Sequence, residues 1–266
     1  MYTSISDLSG TKFQYFVNDD MARNSIGKNK EWEPHLTQFV KLYNSFYSLT
    51  NIIDVGANFG YHSVLFSKEV SGTVYSFEPQ EQNYELLKNN ISINNRNNIM
   101  AYNVGCGDIN CDISMPIIDT SNNVNMGDFT PNIVSTRNHS ITKSVLLDEM
   151  NFPKIDLIKI DVQGWEKKVL IGANNILKDK PVLIVEFEEH QLSKTNTTCK
   201  ELFHYIRENN YYIFYLDYDY PSDHICVHND NLEDFRIKFK DYIFEHTTYN
   251  RINHNIQNGV NEKIKV

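Results

Sequence analysis

The segment Asn51-Ile-Ile-Asp-Val-Gly56-Ala-Asn-Phe-Gly60 constrains this chain more than any other. It reads as a short buried strand that stops at a glycine loop, and residues 61–70 behind it have helical spacing. Glycines in such a loop let the backbone approach a ligand that side chains would keep out. The Gly-x-x-x-Gly spacing differs from the Gly-x-Gly-x-x-Gly that cradles a pyrophosphate, and the carboxylate of Asp54 sits where it would repel one. A cofactor with a free amino group, such as an aminoacyl-sulfonium, suits that carboxylate better. Gly56, Ala57, Asn58, Phe59, Gly60 and Tyr61 are the candidate contacts on the loop.

The rest of the chain repeats this order of strand and helix. Residues 32–48 carry apolar side chains at three- and four-residue steps, predicting an amphipathic helix ahead of the first strand. Further strands are expected at 73–78, 99–104, 155–161 and 181–188, with helices at 82–93, 165–177 and 198–209. Two last strands at 211–217 and 224–228 flank a turn-rich Asp219-Tyr-Pro-Ser-Asp223 segment, short enough for an antiparallel hairpin. The expectation is a Rossmann-like α/β fold of seven strands, mostly parallel, with helices on both faces. Residues 111–141, interrupted by Pro116, Gly127 and Pro131, read as a hairpin and a substrate-side loop. The chain divides into an N-terminal extension (1–30), a main domain (31–230), and a C-terminal helix at 232–244 with a polar tail expected to fray (231–266).

Charge narrows the partners. With 266 residues and a formal net charge of −9, the chain lacks the basic surplus with which proteins displace counterions from a phosphate backbone, so nucleic acid is disfavoured. Cys106, Cys111, Cys199 and Cys226 show no CxxC spacing, and no histidine pairing marks a metal, so no metal is expected. Neither a basic-then-apolar leader nor a run of about 18 apolar residues is present, and a cytoplasmic location is the expectation.

Three carboxylates stand where chemistry is expected. Glu78 closes the second strand 18 positions after Gly60, where related folds place an acid on ribose hydroxyls, and its two oxygens can accept from a vicinal diol. Asp161 ends the run Asp156-Leu-Ile-Lys-Ile-Asp161, and alternation puts it on the same face as Lys159; a buried pair of this kind is costly unless paired or used. Glu186, near the end of the fifth strand, is a further candidate for acid-base work. Asp108, in a turn after the third strand, could accept from an adenine amino group or simply form the turn. Glu166 fits an acid in the first turn of a helix, and His62 and His139 are weaker candidates for a base.

Over residues 32–188 these motifs together resemble the FkbM-like S-adenosylmethionine-dependent methyltransferases. The resemblance rests on Ile-Ile-Asp54-Val-Gly-Ala-Asn-Phe-Gly60-Tyr61, Phe77-Glu78-Pro79, Leu147-Asp148, the run from Ile155 to Glu166, Val169-Leu-Ile-Gly172-Ala173 and Pro181-Val-Leu-Ile-Val-Glu186, in that order. It implies the class I methyltransferase fold, S-adenosyl-L-methionine as cofactor, and methylation of a hydroxyl on a sugar, glycan or small molecule. Gln163 departs from the family pattern, which often has Glu there. Two other readings stand beside it: a nucleic-acid or protein methyltransferase on the same fold, and a cofactor-binding subunit without turnover. The turn Asp161-Val-Gln-Gly164 lacks the Asn/Asp-Pro-Pro-aromatic pattern that accompanies methylation of exocyclic amines.

Overall fold

The computed structural model describes residues 3–131, 138–216, 222–245 and 262–266. Its centre is a sheet whose strands run β5 (Ile99–Tyr102), β4 (Val74–Phe77), β3 (Ile52–Val55), β9 (Leu157–Ile160), β10 (Val182–Glu186), β12 (Asp223–His228) and β11 (Tyr211–Leu216). The first five are parallel, and β12 runs antiparallel to both its neighbours. This is the class I methyltransferase fold, with all seven expected strands. Of the turn segment expected to join the last two, 219–221 lie outside the described residues and Asp223 already belongs to β12.

Period-two alternation decides which side chains face which layer. Ile52, Val74, Leu157, Val182 and Ile184 enter one core with Leu36, Phe39 and Val40 of α2 (Pro34–Tyr47) and Val64 of α3 (Tyr61–Phe66). Ile53, Val55, Phe77, Ile158, Ile160, Leu183 and Val185 enter the other with Val169 of α5 (Glu166–Ile171) and Leu202 of α7 (Cys199–Glu208). Each such buried aliphatic side chain stabilises the fold by about 1.5–3 kcal/mol relative to exposure. Carried on toward the carboxyl ends, the same parity puts Asp54, Ser76, Lys159 and Glu186 on the face of α2 and α3.

Four local expectations change. The helix expected over 165–177 stops at Ile171, with Gly172 as its C-cap packed so closely on the Gly107 carbonyl that a Cβ there would lie 2.0 Å from it; a 3₁₀ turn, Ile176–Asp179, follows. The helix expected at 232–244 is α8 (Asn229–Lys238), followed by β13 (Ile243–Glu245). In the tail expected to fray, β14 (Glu262–Ile264) inserts between β13 and β11, covers an otherwise open sheet edge, buries Ile264 fully and pairs Glu262 with Arg236 at 2.5 Å, so that this sheet has nine strands among the described residues. His139 opens β8 (His139–Val145) instead of lying in a loop. That strand pairs with β7 (Cys111–Pro116) as the expected hairpin, and β6 (Gly105–Cys106) completes a separate three-stranded sheet.

The N-terminal residues are ordered against the main sheet's ligand-facing end. β1 (Thr3–Leu8) and β2 (Thr11–Phe16) form a hairpin, and α1 (Asp20–Asn24) starts at Asp19, whose carboxylate accepts from the Met21 and Ala22 N–H groups. Asn90, fully buried on α4 (Glu81–Ile93), accepts from the Gln14 N–H and donates to the Phe59 carbonyl at 2.7 Å, joining the hairpin to the glycine loop. Asp20 N–H and Val124 N–H exchange bonds with Val124 and Asn18 carbonyls, fastening this segment to the loop after β7. The four cysteines are free thiols, and no described helix is long and apolar enough to cross a membrane.

Candidate active site

Cross-strand register brings three polar side chains into one row: Asp54 lies opposite Ser76 on one side and Lys159 on the other. The Asp54 carboxylate accepts from Ser63 Oγ at 2.5 Å, Ser76 Oγ donates to Ser63 Oγ at 2.9 Å, and Lys159 Nζ lies 3.8 Å from Asp54 Oδ1. Asp54 is fully buried, so it braces Lys159 and the first turn of α3 from behind.

The loop after β3 wraps tightly onto the ends of the neighbouring strands. Gly56 and Ala57 both donate to the Phe77 carbonyl, and Gly56 has φ +82°, with a hypothetical Cβ only 1.8 Å from the Asp161 carbonyl oxygen. No residue but glycine fits there. Beyond it, Asn58 N–H donates to Glu78 Oε2 and Gln80 N–H to Glu78 Oε1, each at 2.8 Å. Burial pushes the Glu78 carboxyl up to about 7, helped by the charges of Asp54 and Asp161 and opposed by those two N–H groups.

One step along the sheet, Lys159 Nζ lies 3.2 Å from Asp161 Oδ2, while Gln163 Nε2 donates to Asp161 Oδ1 at 2.8 Å and to Glu186 Oε2 at 3.1 Å. Burial would raise the Asp161 carboxyl, but the Lys159 ammonium and hydrogen bonds from Glu186 and Gln163 hold it below its ordinary value. Glu186 moves the other way, well above the carboxylate range, through burial and the charges of Asp161 and Asp223. The pair therefore shares one proton, with Asp161 ionised and Glu186 neutral. Burial works against the Lys159 charge, yet Asp161 and Asp54 raise its pKa and keep it protonated. Removing both carboxylates would leave the Lys159 charge buried without a partner, at about 3–5 kcal/mol.

These groups open into one cavity of about 650 Å³ at the carboxyl ends of the strands, within the range of small-molecule sites. Of the residues expected at the site, Gly56, Ala57, Asn58, Tyr61, Glu78, Lys159, Asp161 and Glu186 line it, as does His62. Asp54, Phe59 and Gly60 stand behind the wall. Asp108 does not line the cavity, because β6 draws the chain into the three-stranded sheet and Gly107 packs against Trp165 and Ser144. His139 does not line it either.

Other lining residues escaped the sequence reading. Gln163, marked in the sequence only as a departure from the family pattern, bridges two carboxylates from a left-handed backbone, φ +53°. Trp32 and Glu33, just ahead of α2, form a wall with Tyr61 and His62: Trp32 N–H donates to Tyr61 Oη at 3.1 Å, and Glu33 Oε2 lies 2.8 Å from His62 Nε2. Asn125 to Phe129, within the long loop expected on the substrate side, close the cavity, held by Asn83 Nδ2 donating to the Met126 carbonyl at 2.9 Å. Glu166, read as a first-turn acid, accepts from the Val162 and Gly164 N–H groups at 3.2 and 3.0 Å and so folds the loop after β9 onto α5. Among the described residues no group of three or more His, Cys, Asp or Glu side chains is arranged to hold a metal ion.

The family described as methyltransferase FkbM domain matches residues 54–213, more than half of the chain and the whole of this site apart from its N-terminal wall. The hexuronic acid methyltransferase AglP of Haloferax volcanii is 30% identical over 138 residues, covering 50% of this chain and 54% of that protein. Methyltransferase 1 of Beauveria bassiana is 24% identical over 145 residues, covering 47% and 58%. The chain thus spans about half the length of the curated relatives it matches. The crystal structure of a methyltransferase FkbM from Methylobacillus flagellatus has 16% identity and a TM-score of 0.47, covering 67% of this chain and 43% of that one. This chain belongs to the FkbM family of methyltransferases.

Proposed function

We propose that the chain transfers a methyl group from S-adenosylmethionine to a hydroxyl of a sugar, glycan or small molecule. The observation that carries this reading is one cavity bounded by the Gly56 loop and Glu78 on one side and by the Asp161–Gln163–Glu186 cluster on the other. The residues fit the cofactor: Gly56, Ala57 and Asn58 turn the loop backbone onto the cavity, and the buried Glu78 carboxylate, oriented by two N–H groups, keeps lone pairs for a vicinal diol. When bound, the cofactor supplies an electrophilic methyl group on a cationic sulfonium.

The chain's own part is to align the acceptor, exclude water and take up a proton. Asp161, ionised and 28% exposed, accepts the hydrogen bond of the acceptor hydroxyl and receives its proton. Lys159 and Gln163 fix the carboxylate's orientation. Glu186, held neutral, keeps a second negative charge away from Asp161. A base so placed contributes about 10²- to 10⁴-fold.

The test is incubation with methyl-labelled S-adenosylmethionine and separate pools of sugars, small alcohols, RNA and protein. Label in the sugar or alcohol pool is the expected result. Label confined to RNA or protein would replace this reading with another methyltransferase class, and no binding of the cofactor would remove it.

A further inference from the structure

Beyond Asp161 the chain turns through Gln163 and Gly164, both at positive φ, and each of their carbonyls is held by a threonine hydroxyl from a distant segment. Thr195 Oγ1, just past α6 (Glu189–Ser193), donates to the Gly164 carbonyl at 2.6 Å. Thr130 Oγ1, in the loop after β7, donates to the Gln163 carbonyl at 2.8 Å.

Gln163 needs such a hold. At φ +53° a residue other than glycine stays in place when its surroundings fix it there, and a long unbranched side chain loses much rotational freedom when held. Its amide must nevertheless stay within reach of both Asp161 Oδ1 and Glu186 Oε2. Thr130 grips the peptide next to the Cα from which that side chain leaves.

The same loop closes the cavity. Asn83 holds its Met126 carbonyl from α4, and Asp128 Oδ1 accepts from Gln191 Nε2 of α6 and lies 3.8 Å from Lys194 Nζ. Those clamps fasten the loop to the scaffold, whereas Thr130 fastens it to the residue that orients Asp161.

We propose that Thr130 is a positioning residue for methyl transfer: its hydroxyl fixes the Gln163 backbone so that the Gln163 amide ties Asp161 to Glu186, which makes the geometry of the base depend on the seating of the loop that closes the cavity. This rests on the methyl-transfer reading above, in which Asp161 takes the acceptor's proton. Without the hydroxyl the amide swings off and the ionised Asp161 loses a donor, so its carboxyl titrates higher. Lys159, Glu78, Glu166, Glu186 and Asp223, the charged or titratable groups that interact with Asp161, keep their places in the sheet and its turns.

The experiment compares Thr130→Val, which keeps the shape and loses the hydroxyl, with Thr130→Ser, which keeps the hydroxyl, in the full chain. In the first arm the Gln163 side-chain amide, identified in ¹⁵N spectra by its absence from Gln163→Leu, is followed by exchange with water. Exchange should quicken at least about tenfold in Thr130→Val and return to the parent rate in Thr130→Ser. Parent-like exchange in Thr130→Val, or exchange in Thr130→Ser as fast as in Thr130→Val, would overturn the proposal. In the second arm, transfer from methyl-labelled S-adenosylmethionine to a mixed pool of sugars and small alcohols is followed against pH. Turnover should fall at least about threefold in Thr130→Val, with KM for S-adenosylmethionine nearly kept and the acid limb of the profile moved to higher pH, and Thr130→Ser should recover both. Full turnover with an unmoved profile in Thr130→Val would equally overturn it. A parent chain that transfers no label while the amide responds as stated would sink the methyl-transfer reading and leave the coupling of Thr130 to Gln163 standing.

Discussion

The backbone N–H of Asn58 donates to Glu78 Oε2 at 2.8 Å, so the apex of the glycine loop and the acid ending the next strand hold each other in place. Glu78 therefore has two tasks, shaping the loop and offering lone pairs to a ligand.

Glu78→Ala removes a charged acceptor from both tasks. S-adenosylmethionine affinity should fall by about 1.5–3 kcal/mol, read by titration calorimetry. An unchanged affinity would take Glu78 out of the site, and binding of a nicotinamide dinucleotide in place of S-adenosylmethionine would overturn the cofactor assignment.

Cofactor binding should depend on pH through the same residue. Below about 7 Glu78 holds a proton, and hydroxyl donors favour the carboxylate, so affinity should rise with pH through about 7 and then level off. Binding near pH 6 should release a proton, measurable as a difference in heat between buffers of unlike ionisation enthalpy. The Glu78→Gln variant should lose this dependence; affinity falling as pH rises would contradict it.

Gly56→Ala places a methyl group against the Asp161 carbonyl at a backbone conformation alanine avoids. The expected cost is at least about 2–3 kcal/mol of stability, visible in a denaturant melt, with loss of cofactor binding in whatever folds. A melt matching the parent chain would mean the loop relaxes freely.

Asp161→Asn keeps shape and removes charge. Turnover should fall by at least about tenfold with cofactor affinity nearly kept. Gln163→Leu, which unties Asp161 from Glu186, should lower turnover and shift the pH-rate profile. Full turnover in Asp161→Asn places the base elsewhere, and a collapse of affinity makes Asp161 a cofactor ligand.

Burial pushes Glu166 up to about 7 in the fold against an ordinary 4.5, despite the N–H groups it accepts. The native state thus binds more protons than the unfolded chain between those values, and stability is lost as pH rises through that window. Glu166→Gln keeps an acceptor without the charge. Its stability relative to the parent should increase by about 1–3 kcal/mol from pH 5 to pH 8, whereas a pH-independent difference would mean Glu166 stays ionised throughout.

What the sequence determined by itself is the part governed by short-range rules. Alternation places Lys159 and Asp161 on one face, glycine spacing marks the turn at Gly56, and apolar periodicity separates strands from helices; each rule acts within a few residues. The tertiary structure decided what depends on segments far apart in the chain. Gln163 meets Glu186 only because β9 and β10 are neighbours, His62 meets Glu33 across 29 positions, and Asp108 is carried off the cavity by strand pairing with β8. The N-terminal wall and the insertion of β14 beside β11 are of the same kind. No local propensity encodes them, because their stabilisation comes from burying surfaces and pairing edges that exist only once the sheet has formed.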